Sequence, residues 1–243
     1  MLTDLPDSLI IVFLLTVILT FLLFTNAVKK KATVAIASGI WLALTGILSF
    51  KKVFQETSSI PPRLMIVVAP AILFIILLMT TKSGKRFTDS IDLKKLTLVH
   101  IVRIPVEIIL FMLFTHKLIP GLMTFEGRNF DILAGITAPL VFYFAFIKQK
   151  LGRKTLLAWN FICLALLLNI VINAVLSIPS SFQQFAFEQP NIALLYFPFV
   201  WLPGCVVPIV LFAHLAAIKQ LLKKNKTEDV LRITFLNNGQ KVK

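Results

Sequence analysis

The sequence is poor in charged residues, and acidic residues are especially scarce. Asp and Glu together number 11 against 25 Lys and Arg, and charged residues make up 15% of the 243 positions, whereas a soluble domain usually has about 25%. Apolar residues make up 58%, and the mean hydropathy is +0.89. A small soluble domain could not bury so much apolar surface, and the composition also excludes a disordered chain or a collagen-like fibre. It predicts an integral membrane protein.

The sequence also lacks the motifs of disulfide, metal and phosphate sites. Its two cysteines, Cys163 and Cys205, lie in apolar runs, and they are too few for a disulfide framework. No Cys-x-x-Cys or His-x-x-x-His spacing and no glycine-rich phosphate loop occurs. We therefore interpret the cysteines as small apolar residues at helix contacts. No motif requires a cofactor, and nothing in the sequence predicts an enzymatic activity.

Seven apolar runs approach or reach the length of about 20 helical residues that crosses a hydrocarbon core about 30 Å thick. They lack the alternating pattern of barrel strands, so we expect helices. The predicted fold is an all-α bundle of seven transmembrane helices over residues 1–222, followed by a short basic tail over 223–243. The runs lie at 8–28, 32–50, 64–81, 96–115, 130–147, 155–177 and 192–218.

The distribution of basic residues predicts the topology of this bundle. If the N-terminus lies outside, the inner segments contain nineteen Lys and Arg and the outer segments contain five, with Arg103 inside the fourth run. This asymmetry is the positive-inside pattern, so we expect the N-terminus outside and the C-terminus inside. The inner clusters should attract anionic lipid headgroups. Because they are short and divided among separate loops, we expect no nucleic-acid partner. The short connections favour a bacterial inner (plasma) membrane.

Two segments outside the runs have alternative interpretations. In the connection 116–131, Asp131 could cap the fifth helix and Glu126 could pair with Arg128, or the connection could form a lid over a cavity. In the tail, Val230–Leu236 is rich in β-forming residues and precedes an Asn-Asn-Gly turn signal. The tail could therefore form a small hairpin or remain without regular structure.

The most informative polar residues are His100, Arg103 and Glu107 in the fourth run. Spacings of three and four place them on one helix face. A charge at mid-bilayer costs about 2.5–3.5 kcal/mol on insertion scales, and such residues are usually functional. We expect a binding site in which Arg103 holds an anionic group, Glu107 a cation or proton, and His100 a relay. The alternative is a structural ion pair between Arg103 and Glu107. Pro105 frees the carbonyl of Ile101, which could bind Arg103 or a ligand.

Other polar residues are candidates for the walls of the same site. Asn169 and Asn173 share a face of the sixth run, where they could line the cavity or form an interhelical hydrogen bond. Trp201 lies in the seventh run among three prolines, which suggest a broken helix with free backbone carbonyls. The prolines are Pro198, Pro203 and Pro208.

We expect a site for a small molecule or ion, used in transport or sensing. One alternative is a membrane redox protein or enzyme that holds haem or a metal through His100 and His214, both near the inner ends of their runs. A further alternative is an assembly partner without a ligand, whose polar face contacts another membrane protein. No internal repeat is visible, which weakens the transporter hypothesis.

Overall fold

The computed structural model describes the backbone of residues 5–239 and the side chains of residues 5–223. All regular secondary structure in this part of the chain is helical, which confirms the predicted class. The α-helices are α1 (Asp7–Ala27), α2 (Lys31–Phe50), α3 (Met65–Thr80), α4 (Lys82–Asp89), α5 (Leu93–Leu98), α6 (Arg103–Thr115), α7 (Ile132–Phe142), α8 (Arg153–Leu176) and α9 (Val207–Gly239). Short 3₁₀ turns occupy Val53–Gln55, Val99–Val102, Gly121–Met123 and Ala193–Leu195, and π-helical turns occupy Tyr143–Ile147 and Leu202–Val206.

Within the described residues, five helical segments are long and apolar enough to cross a membrane, against the seven predicted. A sixth is added if α3 and α4, which meet at an angle of 84°, count as one span. The first, second, fourth and sixth predicted runs each coincide with one of these segments to within a few residues, and the third coincides with α3. The five segments are Asp7–Ala27, Lys31–Phe50, Leu93–Thr115, Arg153–Leu176 and Leu202–Lys223.

The fifth and seventh predicted runs differ from the helices of the structure. The apolar helix Ile132–Ile147 is too short to be a candidate span, since at 1.5 Å per residue it covers about 24 Å of a core about 30 Å thick. The seventh span begins at Leu202, ten residues later than predicted, because residues before it follow turns around Pro198. Its helix continues to Gly239. The hairpin considered for the tail is therefore wrong, since that backbone is helical.

The surface of the bundle is apolar, as contact with lipid requires. Large apolar side chains project from α1, α2 and α3, among them Leu22, Ile40 and Phe74, each more than 60% exposed. The interior packs α1 and α6 against the Leu202–Val206 turn and the start of α9, with Phe13 and Phe199 in aromatic contact at 5.0 Å. Apolar faces that turn both inward and outward are expected of helices buried in a bilayer.

The short helix α4 lies across the end of α3 and carries positive charge. Gly84 permits the sharp bend, because a Cβ there would lie 2.4 Å from the Cα of Leu78. At its other end, Asp89 lies 2.8 Å from Nζ of Lys223 and 3.5 Å from Nζ of Lys219. The hydrogen bond from Lys223 lowers the pKa of Asp89. These two ion pairs join the end of α4 to α9.

Two tryptophans join α2 to the broken start of α9. The indole N–H of Trp41 donates to the carbonyl of Gly204 at 2.8 Å, and that of Trp201 donates to the carbonyl of Leu42 at 3.1 Å. The residue four positions after Gly204 is Pro208, which has no N–H to donate. Trp41 therefore satisfies a carbonyl that the proline leaves free, as polar groups in a bilayer interior require.

We expect Trp41→Phe to destabilise the protein by about 1–3 kcal/mol, because it leaves a buried carbonyl without a donor. Trp201→Phe is the matched control: the carbonyl of Leu42 also accepts the hydroxyl of Thr45 at 3.2 Å, so that variant should lose less. Unfolding by denaturing detergent, followed by circular dichroism, measures both. If both variants lost the same free energy of unfolding, the hydrogen bond from Trp41 to the Gly204 carbonyl would contribute no more to stability than the bond from Trp201 to Leu42.

Candidate functional site

The fourth predicted span is interrupted just where its polar residues lie. It consists of α5, the 3₁₀ turn Val99–Val102 and α6, and Arg103 is the first residue of α6. Pro105 follows within the first turn of α6, where its missing N–H has little cost. Together the three pieces place Arg103 and Glu107 near the middle of a 23-residue segment.

The guanidinium of Arg103 is fixed by two partners from other parts of the chain. Its Nε lies 3.1 Å from Oδ2 of Asp131, an ion pair without the alignment of a hydrogen bond. Its two terminal nitrogens each donate to the carbonyl of Cys163 at 3.3 Å. The expectation that Arg103 pairs with Glu107 or binds the carbonyl of Ile101 is therefore wrong. The side chain of Asp131 makes no capping hydrogen bond to α7, so the predicted cap is wrong as well.

Glu107 is held by an asparagine from the connection before α7. Nδ2 of Asn129 donates to Oε1 of Glu107 at 2.6 Å and to the carbonyl of Met123 at 3.0 Å. Oδ1 of Asn129 accepts the backbone N–H of Asp131 at 3.0 Å. Asn129 therefore fixes Glu107 and Asp131 together. We call Arg103, Glu107, Asn129 and Asp131 the acidic cluster.

The acidic cluster has fewer positive than negative groups. Arg103, Glu107 and Asp131 are 2%, 1% and 4% exposed, so two carboxyl groups and one guanidinium are out of contact with water, and the guanidinium pairs only with Asp131. Oε2 of Glu107 and Oδ1 of Asp131 are buried and have no hydrogen-bond partner among the described residues. An unpaired buried carboxylate is costly unless a proton or a cation neutralises it. The arrangement is therefore suited to bind one positive charge.

The backbone around the acidic cluster is close-packed. A Cβ on Gly135 would lie 2.8 Å from Cγ1 of Ile104 and 3.2 Å from Cβ of Arg103. Gly135 thus allows α7 to approach α6 closely enough for Asp131 to reach the guanidinium.

His100 and His214 form a second buried polar group. Their rings stack with centroids 3.8 Å apart and planes 16° apart, beside Trp159. Nδ2 of Asn160 donates to the carbonyl of Leu156, so Oδ1 of Asn160 accepts from Nδ1 of His214 at 3.0 Å. Nε2 of His214 and Nδ1 of His100 are buried, and neither has a hydrogen-bond partner in the part of the chain that the structure describes.

The stacked rings do not suit the haem or metal alternative. Imidazole lone pairs lie in the plane of each ring, and two parallel rings 3.8 Å apart neither aim them at one ion nor leave room for a macrocycle between them. Within residues 5–223, no group of three or more His, Cys, Asp or Glu side chains is placed to hold a metal ion.

The other predicted wall residues lie in separate hydrogen-bond networks. Asn169 donates to the carbonyl of Arg128 at 2.7 Å, and Asn173 donates to the carbonyl of Asn169 at 3.0 Å. The first bond fixes the connection before α7 to α8, and the second lies within α8. Trp201 contacts α2 instead, as described above. No hydrogen bond or ion pair within the described side chains joins Asn169, Asn173 or Trp201 to the acidic cluster.

The alternative of an assembly partner predicted that this polar face contacts another protein. The structure places it against the chain's own connection 116–131, α7 and α8, with each charged member at most 4% exposed. The chain's own segments therefore cover the polar face that the alternative assigns to a partner protein.

Sequence reasoning missed Asn129 and gave Asp131 the wrong role. Asn129 directly precedes the fifth apolar run and Asp131 is its second residue, and an acid at the edge of a run is a visible signal. Asn160 was also missed as the partner of His214, and the carbonyl of Cys163 as the acceptor for Arg103. A backbone acceptor leaves no signal in a sequence.

Comparison with known proteins identifies one family. Residues 60–222 match a protein-family model described as a domain of unknown function, DUF8737. The matched region contains the acidic cluster and both stacked histidines, whereas α1 and α2 precede it. No curated protein and no solved structure matches the chain.

Proposed function

The chain belongs to the DUF8737 family, whose description names no activity, and we propose its function from the site: a polytopic membrane protein that binds a proton or another small cation at Glu107, for transport or for sensing. One observation carries the proposal. Two carboxyl groups are buried with a single guanidinium that pairs only with Asp131, and among the described residues each carboxyl keeps one oxygen without a partner. A structural ion pair would need only one of them.

The electrostatics favour a positively charged ligand. With both carboxyl groups ionised, the acidic cluster has a surplus of one negative charge in an environment that poorly solvates it. A proton on Glu107 would remove this charge, and a cation would offset it. Ionisable residues inside a membrane that are retained at this cost commonly mark ion pathways or proton relays.

The irregular backbone beside the cluster supports the same function. Residues 124–131 include no helix, yet Asn129 is fully buried against α6. Within a membrane, non-helical backbone is tolerated where protein buries it or where it lines a cavity. Interrupted helices of this kind line ion sites in several transporter folds.

The topology that we propose retains seven membrane-crossing segments with the N-terminus outside. The short helix Ile132–Ile147 would cross together with the irregular backbone before it. The nineteen inner and five outer Lys and Arg residues then follow the positive-inside rule. We place the protein in a bacterial inner membrane, as the short connections suggest.

Ion movement in reconstituted vesicles tests the proposal. Vesicles with a trapped pH indicator or a trapped sodium indicator are given an inside-negative potassium diffusion potential, with and without external sodium. Faster proton or sodium entry than in empty vesicles would indicate transport. No entry, but a melting temperature in detergent that shifts with pH or sodium, would indicate sensing. If neither ion entry nor a shift in melting temperature is observed, the proposal is overturned.

A further inference from the structure

The described residues form a half-open apolar groove that none of the acidic cluster lines. It has a volume of about 510 Å³ and lies between α1, α2, α3 and the start of α9, with Phe87 of α4 at one end. This volume is typical of a ligand site, for which about 300–1,000 Å³ is usual. Its wall contains few polar groups, chiefly Lys30, Thr33 and Ser38, all from the beginning of α2 or just before it.

The length of the groove matches one leaflet of a bilayer. Along α2 it extends from Lys30 to Trp41, which at 1.5 Å per residue is about 16 Å. The hydrocarbon core is about 30 Å thick, so the groove covers about half of it. The Trp41–Gly204 hydrogen bond lies at its deep end.

The two ends of the groove differ in chemistry. Its deep end is formed by Trp41, Pro70 and Gly204, whereas Leu78, Phe87 and Lys30 lie at the other end. The backbone N–H of Asp92 donates to the carbonyl of Ala27, which holds the turn after α4 beside the start of α2. The groove therefore opens at Lys30 into a region that α4 and the α1–α2 connection share.

That region has an excess of positive charge. Asp89 is already paired with Lys219 and Lys223, and Asp92 caps α5 by accepting the N–H groups of Lys94 and Lys95. The nearby basic side chains are Lys29, Lys30, Lys31, Lys82, Lys85 and Arg86. An anionic group at the open end would meet complementary charge.

We propose that the groove binds one acyl chain of an anionic phospholipid, with the headgroup beside Lys30. The apolar wall, the length of one leaflet and the basic open end each match one part of such a lipid. This proposal does not depend on the ion site, since none of the acidic cluster lines the groove.

Native mass spectrometry of the delipidated full chain tests the proposal. The probes are phosphatidylglycerol and phosphatidylcholine with identical acyl chains. We expect one phosphatidylglycerol to bind more tightly than phosphatidylcholine. Lys30→Gln should weaken phosphatidylglycerol binding about fivefold, the effect of one basic residue at an anionic headgroup, and leave phosphatidylcholine unchanged. Lys51→Gln, at the other end of α2, is the matched control and should change neither.

A second variant tests the groove itself. Ala37 lines it, so Ala37→Phe should weaken binding of both lipids by about tenfold or more, whereas Ala43→Phe on the same helix, outside the groove, should not. Unchanged lipid binding in Ala37→Phe would overturn the proposal. The proposal would also be overturned if the two lipids bound equally and Lys30→Gln had no effect on either. This second outcome does not require Ala37→Phe to fold. A dimer mass that Ala37→Phe abolishes would assign the groove to a second copy and also overturn it.

Discussion

Glu107→Gln is expected to abolish the response of the protein to protons or sodium while the fold is preserved. Glutamine has the same shape, and its carbonyl oxygen can still accept the N–H of Asn129, which lies 2.6 Å from Oε1 of Glu107. It cannot take up a proton or offset a cation. An amide N–H group takes the place of the unpartnered oxygen, but the change removes an uncompensated buried charge, so stability should be unchanged or higher. Vesicle uptake and melting temperature measure the two effects.

Glu126→Gln is the matched control for this variant. Glu126 lies in the same connection as Asn129 but is exposed, so its replacement should leave both uptake and stability unchanged. If Glu107→Gln retained a full response to protons and sodium, Glu107 would have no part in binding, and the acidic cluster would be only structural.

Arg103→Met is expected to be among the most destabilising single changes in the chain. It removes the ion-pair partner of Asp131 and both donors to the carbonyl of Cys163. Breaking a buried ion pair by removing one partner costs about 3–5 kcal/mol, because the other charge is left uncompensated. Unfolding in denaturing detergent, with circular dichroism as the readout, measures the loss.

The double variant Arg103→Met, Asp131→Asn shows whether the loss has this cause. Neutralising Asp131 removes the stranded charge, so the double variant should be more stable than Arg103→Met alone. Arg128→Met is the matched control: the Arg128 side chain is exposed and stacks on Phe185 at 6.0 Å, so its loss should be small. No recovery in the double variant would mean that Arg103 acts mainly through the Cys163 carbonyl.

The helical class and most of the helices could be predicted from the sequence, because a long apolar run has few alternatives in a bilayer. The seventh run was predicted too early, because Ala193–Phe199 is apolar enough to resemble a span although it turns around Pro198. Hydropathy measures the apolar character of a segment and not the direction of its backbone. The fifth run illustrates the same limit, since nothing in its composition shows that Ile132–Ile147 is short of a full crossing.

The candidate site could be predicted only in its local part. The spacing of Arg103 and Glu107 placed both on one helix face and pointed them inward, and both are buried. Their partners come from elsewhere: Asp131 and Asn129 from a folded connection, and the Cys163 carbonyl from α8. These contacts depend on tertiary packing, including the close approach at Gly135. Helical spacing carries no information about them.

Infrared difference spectroscopy of the purified protein most directly tests whether Glu107 exchanges a proton or cation. Acidification should produce a protonated-carboxyl band that Glu107→Gln lacks and Glu126→Gln keeps, or added sodium should change a carboxylate band with the same dependence on Glu107. Either result would show that Glu107 takes up positive charge inside the bundle. If no band dependent on Glu107 responded to pH or to sodium, the ion-binding function would be contradicted, and the acidic cluster would be a fixed structural element.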